Sequence, residues 1–267
     1  LSQGAAAAAR VGDRRIELRA RVEHAALRLL RDPREAAAEL LEIGGRAVPV
    51  FESVGDDRAL GRTWMLMGWV RGGLLGHHAE WEADATRALD HYRAAGWPPA
   101  TCVGHIAAAA YGGPTPAAAG VARCRALLER DVVDRASEAN VLAHLGGLQA
   151  MLGSFGEASE LLERARAVYL ELGRKPQVLL TCAPIEAEKA RLTGDTAAAA
   201  EILLESCRAL HTEHRWFHLA TQAAELAGLL VTLGRDAEAD EWCSLSERFA
   251  SEQDVSAQLW RRLSRAR

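Results

Sequence analysis

The sequence predicts an all-α tandem-repeat fold, a solenoid of about six helical hairpins. Three observations predict it. Glycines that follow apolar helical stretches recur at Gly76, Gly113, Gly153, Gly194 and Gly234, spaced 37, 40, 41 and 40 residues apart. The flanks of three of them repeat as well: Leu152-Gly153-Ser-Phe-Gly-Glu-Ala158, Thr193-Gly194-Asp-Thr-Ala-Ala-Ala199 and Leu233-Gly234-Arg-Asp-Ala-Glu-Ala239. Between the glycines the apolar residues follow the helical period of 3.6 rather than the alternation of a strand.

Each element follows from local chemistry. A glycine takes positive φ without steric cost and so closes a helix. The small residue five positions later lets the next helix pass close. In Glu160–Leu172 the residues Leu161, Leu162, Ala165, Val168, Tyr169 and Leu172 form one apolar stripe, and Glu163, Arg164, Arg166 and Glu171 face away. In Trp216–Leu233 the stripe is Leu219, Ala223, Leu226, Ala227, Leu230 and Leu233. A second set of breaks carries Gly, Pro and Asp: Val54–Asp57, Gly96–Pro99, Asp131–Asp134 and Gly173–Pro176. These signals predict helix pairs near 12–54, 57–95, 98–130, 134–173, 176–213 and 215–252, with a further helix over 255–267. One repeat domain then spans 1–267. The runs Ala47–Phe51 and Val178–Leu180 have some β character but lie inside helical periodicity, and Gly112–Pro116 reads as a rigid inter-helix turn.

Composition bounds the function. A chain of 267 residues that is 49% hydrophobic can bury a continuous core, with each repeat packing on its neighbours. Net charge is −4 and no basic stripe exists, which argues against nucleic acid as a partner. No run of about 18 uncharged apolar residues exists, so no membrane helix is expected. Leu1–Ala9 lacks the basic leader of a signal peptide, and Leu1 in place of Met is the mark of a chain cut from something longer. Cys102, Cys124, Cys182, Cys207 and Cys243 stand alone without a CxxC, which fits the reducing cytoplasm.

No constellation of catalytic residues emerges, so no enzyme activity is expected. His214 and His218 have the i, i+4 spacing of a zinc pair, but a turn is predicted between them and no HExxH or Cys pair supports them. With His211 they read as exposed turn residues; no metal or cofactor is expected. No GxSxG elbow accompanies the scattered Ser, Cys and His. Glu157/Glu160 and Glu186/Glu188 read as solvated helix faces, and Glu160/Arg164 as an i,i+4 pair. The segment carrying Trp64, Trp69 and Trp81 is where an aromatic anchor is expected.

The string Gly153-Ser-Phe155-Gly-Glu157-Ala158 resembles the turn of a tetratricopeptide repeat, with Leu145-Gly146 and Ala165 at matching positions. The period near 40 exceeds the usual 34, and Trp81 stands where that repeat has Ala. Leu18–Leu29, Val48–Asp56, Tyr111–Leu128 and Ala257–Trp260 resemble the repeat region of large bacterial multidomain signalling regulators. Those chains join an adenylate/guanylate cyclase domain or a DNA-binding output domain to an NTP-binding module upstream. The resemblance implies a right-handed superhelix that serves as a non-catalytic protein–protein interaction and regulatory scaffold. Its partner would be a protein, a peptide or another domain of the parent chain. None of the family's nucleotide-binding or cyclase motifs is present.

In such repeats the first helix of each pair lines a concave groove. Aligned on the turn glycines, Thr63, Asn140, Thr181 and Thr221 share one inner position, His144 and Glu225 a neighbouring one, and Glu188 and Arg191 follow one to two turns on. This ladder is suited to hydrogen-bonding an extended peptide. The alternative is a small-molecule-sensing repeat domain, which requires a closed apolar pocket with a few convergent polar groups. At the far end, Leu245, Phe249, Leu259, Trp260 and Leu263 form an uncapped face through which self-association is expected.

Overall fold

The computed structural model describes residues 1–31, 33–129, 133–250 and 254–265, and among these the chain is all-helical with no strand. The helices are α1 (Ser2–Arg10), α2 (Arg14–Arg31), α3 (Pro33–Ser53), α4 (Asp57–Gly73), α5 (His78–Ala94), α6 (Ala100–Gly112) and α7 (Ala117–Leu128). There follow α8 (Arg135–Met151), α9 (Phe155–Glu171), α10, α11 (Thr196–Thr212), α12 (Trp216–Thr232), α13 (Asp236–Phe249) and α14 (Val255–Arg265). Helix α10 is composite: Lys175–Gln177, a π-helical turn Val178–Cys182, then Ala183–Leu192. The alanine run at the start forms α1, an element the turn signals did not announce. Half of the break expected at Asp131–Asp134 lies outside the described residues; Asp134 itself caps α8 by accepting from the Ser137 N–H at 2.7 Å.

The glycine ends behave as left-handed closures at Gly76 (φ 70°), Gly153 (80°), Gly194 (84°) and Gly234 (72°). At the last three, the residue after the glycine donates back five positions, as in Asp195 N–H to the Ala190 carbonyl at 3.0 Å. Gly113 departs from this reading. Its φ and ψ are −96° and −174°, an extended conformation. It precedes Pro114, whose ring disfavours helical backbone in the residue before it. The closure in that hairpin is made by the Pro-rich turn instead.

The π-turn has a similar cause. Pro184 has no N–H to give to the carbonyl four residues back, so the helix widens before it. The Ala183 N–H reaches the Val178 carbonyl, and the Leu179 carbonyl loses its helical partner. Gln222 of a later helix takes it up, its Nε2 donating at 2.9 Å, so the buried carbonyl is satisfied. The Ser206 hydroxyl lies 3.3 Å from the same carbonyl and gives its one proton to the nearer Gln222 Oε1 at 2.7 Å.

Helices adjacent in sequence pack on each other, most extensively α4 with α5, α8 with α9 and α12 with α13. The alternate helices α2, α4, α6 and α8 also touch in succession, and α8 touches α10. The array then returns on itself, because α12 contacts α2. Phe217 of α12 belongs to the same apolar cluster as Leu18, Val22, Leu66 and Val70. Its ring lies 5.0 Å from that of Trp69, and the Val255 N–H donates to the Leu74 carbonyl at 2.9 Å. The two ends of the array are thus in contact.

Close approach depends on glycine at the α4–α5 interface. A Cβ on Gly72 would lie 2.0 Å from the Trp81 ring. Trp81 is tolerated where a small residue is usual because the facing helix supplies the small residue instead. Replacing Gly72 by Ala should therefore lower the unfolding free energy by about 1–3 kcal/mol, the usual cost of overpacking, despite Ala's better helix propensity. Gly45 in α3 faces open space, so Gly45→Ala should raise stability by about 0.5–1 kcal/mol. Urea denaturation of both variants measures the two signs; equal effects would refute this packing.

Candidate functional site

Counting from helix ends aligns the inner surface better than counting from glycines. Arg62, Thr101, Asn140, Thr181 and Thr221 each stand eleven residues before the last residue of their helix. Leu66, His105, His144, Ile185 and Glu225 each stand seven residues before it. Nine of these ten face two adjoining cavities, Thr221 being the exception, and Arg62, Thr101, Leu66 and His105 are rungs that the glycine alignment did not give. The reason is physical. Gly76 lies three residues past its helix, Gly113 one, and the others two, so Gly76 and Gly113 are poor rulers.

The larger cavity measures about 480 Å³ and lies within the ring of α2, α4, α5, α6, α8, α10 and α12. Trp69 and Trp81 supply aromatic walls, Leu66 and Ala108 apolar ones, and Leu27 is exposed at its rim. Arg62 and Glu23 form a bidentate ion pair at its edge, at 2.8 and 2.9 Å. The π-turn presents Leu180 and Thr181 to the interior. A second cavity of about 270 Å³ shares His144, Leu180 and Thr181 with the first and is bounded by Tyr111, Ile185, Glu188 and Glu225.

Three imidazoles line the larger cavity: His105, His144 and His218. Burial pushes each of them down to about 4. At His105 the neighbouring His144 and Arg62 add to the effect, and at His218 Arg215 does. All three are neutral at pH 7. Their hydrogen bonds fix two tautomers. The Trp81 indole N–H donates to His105 Nδ1 at 3.1 Å, so the His105 proton sits on Nε2. His144 Nδ1 lies 2.8 Å from the Asn140 carbonyl, which only accepts, so Nδ1 carries the proton and Nε2 is an acceptor. Among the described residues neither Nε2 atom has a protein partner, and buried Asn140 Oδ1 has none either. The two imidazoles therefore offer the cavity one donor, His105 Nε2–H, and one acceptor, His144 Nε2, both uncharged and set between aromatic walls.

The sequence-predicted residues divide into three groups. Asn140, His144 and Thr181 meet in the larger cavity, and Glu188 and Glu225 in the smaller one. Arg191 pairs with both oxygens of Glu188 at 2.6 Å. Thr63 and Thr221 are engaged elsewhere. Thr63 is buried and gives its hydroxyl to the Ala59 carbonyl of its own helix, while Thr221 donates to Asp254 at 3.0 Å. His211 and His214 are exposed, but His218 is not the exposed turn residue expected. It sits two residues into α12 and faces the cavity beside Trp69. Of the C-terminal apolar face, Leu259 and Leu263 are exposed, Phe249 stacks on Trp216 at 4.3 Å, and Trp260 covers Gly228. The five cysteines are buried and free. Among the described residues, no helix is long and apolar enough to cross a membrane and no three His, Cys, Asp or Glu converge as a metal site.

No family model matches the chain, and no curated protein matches it.

A histidine held neutral by the native state destabilises that state as the unfolded chain protonates. Below the ordinary pKa of about 6.5 the unfolded chain binds a proton that native His144 refuses until about pH 4. The stability difference between the native sequence and His144→Gln should then shrink by about 1–2 kcal/mol from pH 7 to pH 5. Guanidinium denaturation at both values measures it, and the opposing effect of buried carboxylates cancels in the difference. A pH-independent difference would refute the neutral buried imidazole.

Proposed function

We propose that this chain is a non-catalytic, tetratricopeptide-like repeat module that binds a small molecule inside a ring of helices. The recurrent helix–glycine–helix turns and the two ladders of inner residues support the repeat reading and the right-handed superhelix that goes with it. The observation that carries the function is the cavity of about 480 Å³ whose surrounding helices close through Trp69 and Phe217. Its size lies in the range of ligand pockets, and its apolar walls with a few fixed polar groups are the usual design of such sites. The bound molecule has a flat apolar body, set against Trp69 and Trp81, and an uncharged hydrogen-bonding edge facing His105 and His144.

Closure also favours this occupant over an extended peptide. A peptide needs an open trough along several repeats, and here the two ends of the array meet. The same contact supplies a mechanism for signalling. Trp69 and His218 stand on opposite sides of the closure and both face the cavity. A ligand touching both has different free energies in the closed and opened arrays, so it shifts their populations. In a larger bacterial signalling protein of the kind the sequence resembles, that shift would be passed to an output domain. The free cysteines suit a cytoplasmic setting.

The test is a thermal-shift screen of small aromatic compounds against the protein and against Ala108→Phe, which fills the larger cavity from α6. Ligands are expected to raise the melting temperature of the native sequence by several degrees, about what binding at 100 times Kd gives, and to leave the variant unmoved. Hits that stabilise both proteins equally would place binding elsewhere and refute the proposal.

A further inference from the structure

Glu225 is the feature of the ring that an uncharged ligand leaves unexplained. Its carboxyl group faces the smaller cavity and, among the described residues, has no hydrogen bond or ion pair. The residue is half-buried at the edge of that cavity. A partly desolvated carboxylate without a partner is costly to keep ionised. The groups around it do not supply one. On α10, Glu188 repels it, and Arg191 is committed to Glu188 through a bidentate pair at 2.6 Å. Tyr111 of α6, His144 of α8 and Cys207 of α11 are the remaining titratable groups that face it, and none is a cation at neutral pH. Burial first, and then Glu188, raises Glu225 to about 7, with Arg191 opposing. The tyrosine ring beside it is itself a surface that attracts cations.

We infer that the ligand carries a protonated amine, with Glu225 as its counter-ion, Tyr111 beside it, and its aromatic body extending past His144 and Thr181 towards Trp69 and Trp81. The inference rests on the reading of the ring as a small-molecule site and narrows the ligand to arylalkylamines. The shared residues His144, Leu180 and Thr181 make the two cavities neighbours, so one molecule can occupy both. Binding of the ammonium group favours the ionised carboxylate, and Glu225 releases its proton to solvent. Between pH 6 and 8 the histidines pushed down to about 4 stay neutral, which leaves Glu225 as the group in the site that changes charge.

The experiment is calorimetric titration of the whole chain with 2-phenylethylamine and with 2-phenylethanol, which has the same body and no charge. The amine is expected to bind more tightly than the alcohol, and its affinity to rise about tenfold from pH 6 to pH 8 as Glu225 ionises. The alcohol's affinity should stay constant. Titrations at pH 7 in buffers of different ionisation enthalpy should show about half a proton released by the amine alone, because Glu225 is half protonated there. Glu225→Gln should weaken the amine at least about tenfold at pH 8, the effect of removing one partner of a buried ion pair, and leave the alcohol unchanged. The pH series on the native sequence stands even if that variant folds poorly. An amine no tighter than the alcohol, or one whose affinity ignores pH, overturns the inference while the small-molecule site survives on the alcohol's binding. Binding of neither compound overturns it as well, and the library screen then decides the site by itself.

Discussion

The contact between the two ends of the helical array is the constraint on which the interior depends. Trp69 and Phe217 meet at 5.0 Å, and the Leu74 carbonyl accepts from the Val255 N–H at 2.9 Å. If those ends parted, the inner residues would face water along an open trough. His218, which lies beside Trp69 at that contact, would then regain hydration. Burial is the first cause of the lowered imidazoles and of the raised carboxyl group. The chemistry of the site and the packing of the ends are one property of the fold.

Closure in turn needs helices that approach closely on a narrow inner circumference. Small residues at the α4–α5 interface allow this, with Gly68 and Gly72 lying against Trp81. The indole then reaches across to His105 and fixes its tautomer. A large ring set into a glycine notch thus does two things. It fills the space between α4 and α5, and it aims the free nitrogen of His105 at the cavity. The π-turn in α10 works in the same way. Pro184 widens the helix, the spare Leu179 carbonyl accepts from Gln222, which Ser206 holds in place, and Leu180 and Thr181 are turned inward. Local irregularities in this chain recur where the wall of the cavity is built, which is where π-turns are often found in proteins.

How much of this the sequence discloses depends on the range of the interaction. The all-helical character is legible because helical periodicity and glycine closure are local. Gly153, Gly194 and Gly234 take the conformation their flanks imply. Asn140, His144, Thr181, Glu188 and Glu225 are legible as inner residues for the same reason: a fixed offset from a helix end is a local quantity. The misreadings come from two sources. At Gly113 a following proline changes the backbone and shifts the register of α6 by one, which conceals Thr101 and His105. At His218 and the closure itself the decisive partner, Trp69, is about 150 residues away, and no periodicity connects the two segments. The same distance separates an open trough from an array whose ends meet.

Thr221 shows how an inner rung can be diverted to a structural purpose. It occupies the same helical position as Asn140 and Thr181, yet its hydroxyl is given to Asp254 Oδ2 at 3.0 Å. The other oxygen of that carboxylate accepts from the Ala257 N–H at 2.9 Å and so caps α14. The residue after Asp254 is Val255, whose N–H is the donor to Leu74. One buried carboxylate therefore ties α12, the start of α14 and, through the adjacent peptide, the end of α4. Burial raises the pKa of Asp254, and its two hydrogen bonds act against that rise. Its desolvation is tolerated because both oxygens are hydrogen-bonded, whereas the carboxylate of Glu225 has no such partner. The two acids differ in whether the chain itself satisfies them: Asp254 is buried and doubly hydrogen-bonded, and Glu225 is half-buried at the smaller cavity without a partner. Asp254 is satisfied and ties the ends of the array together, while Glu225 has no partner among the described residues.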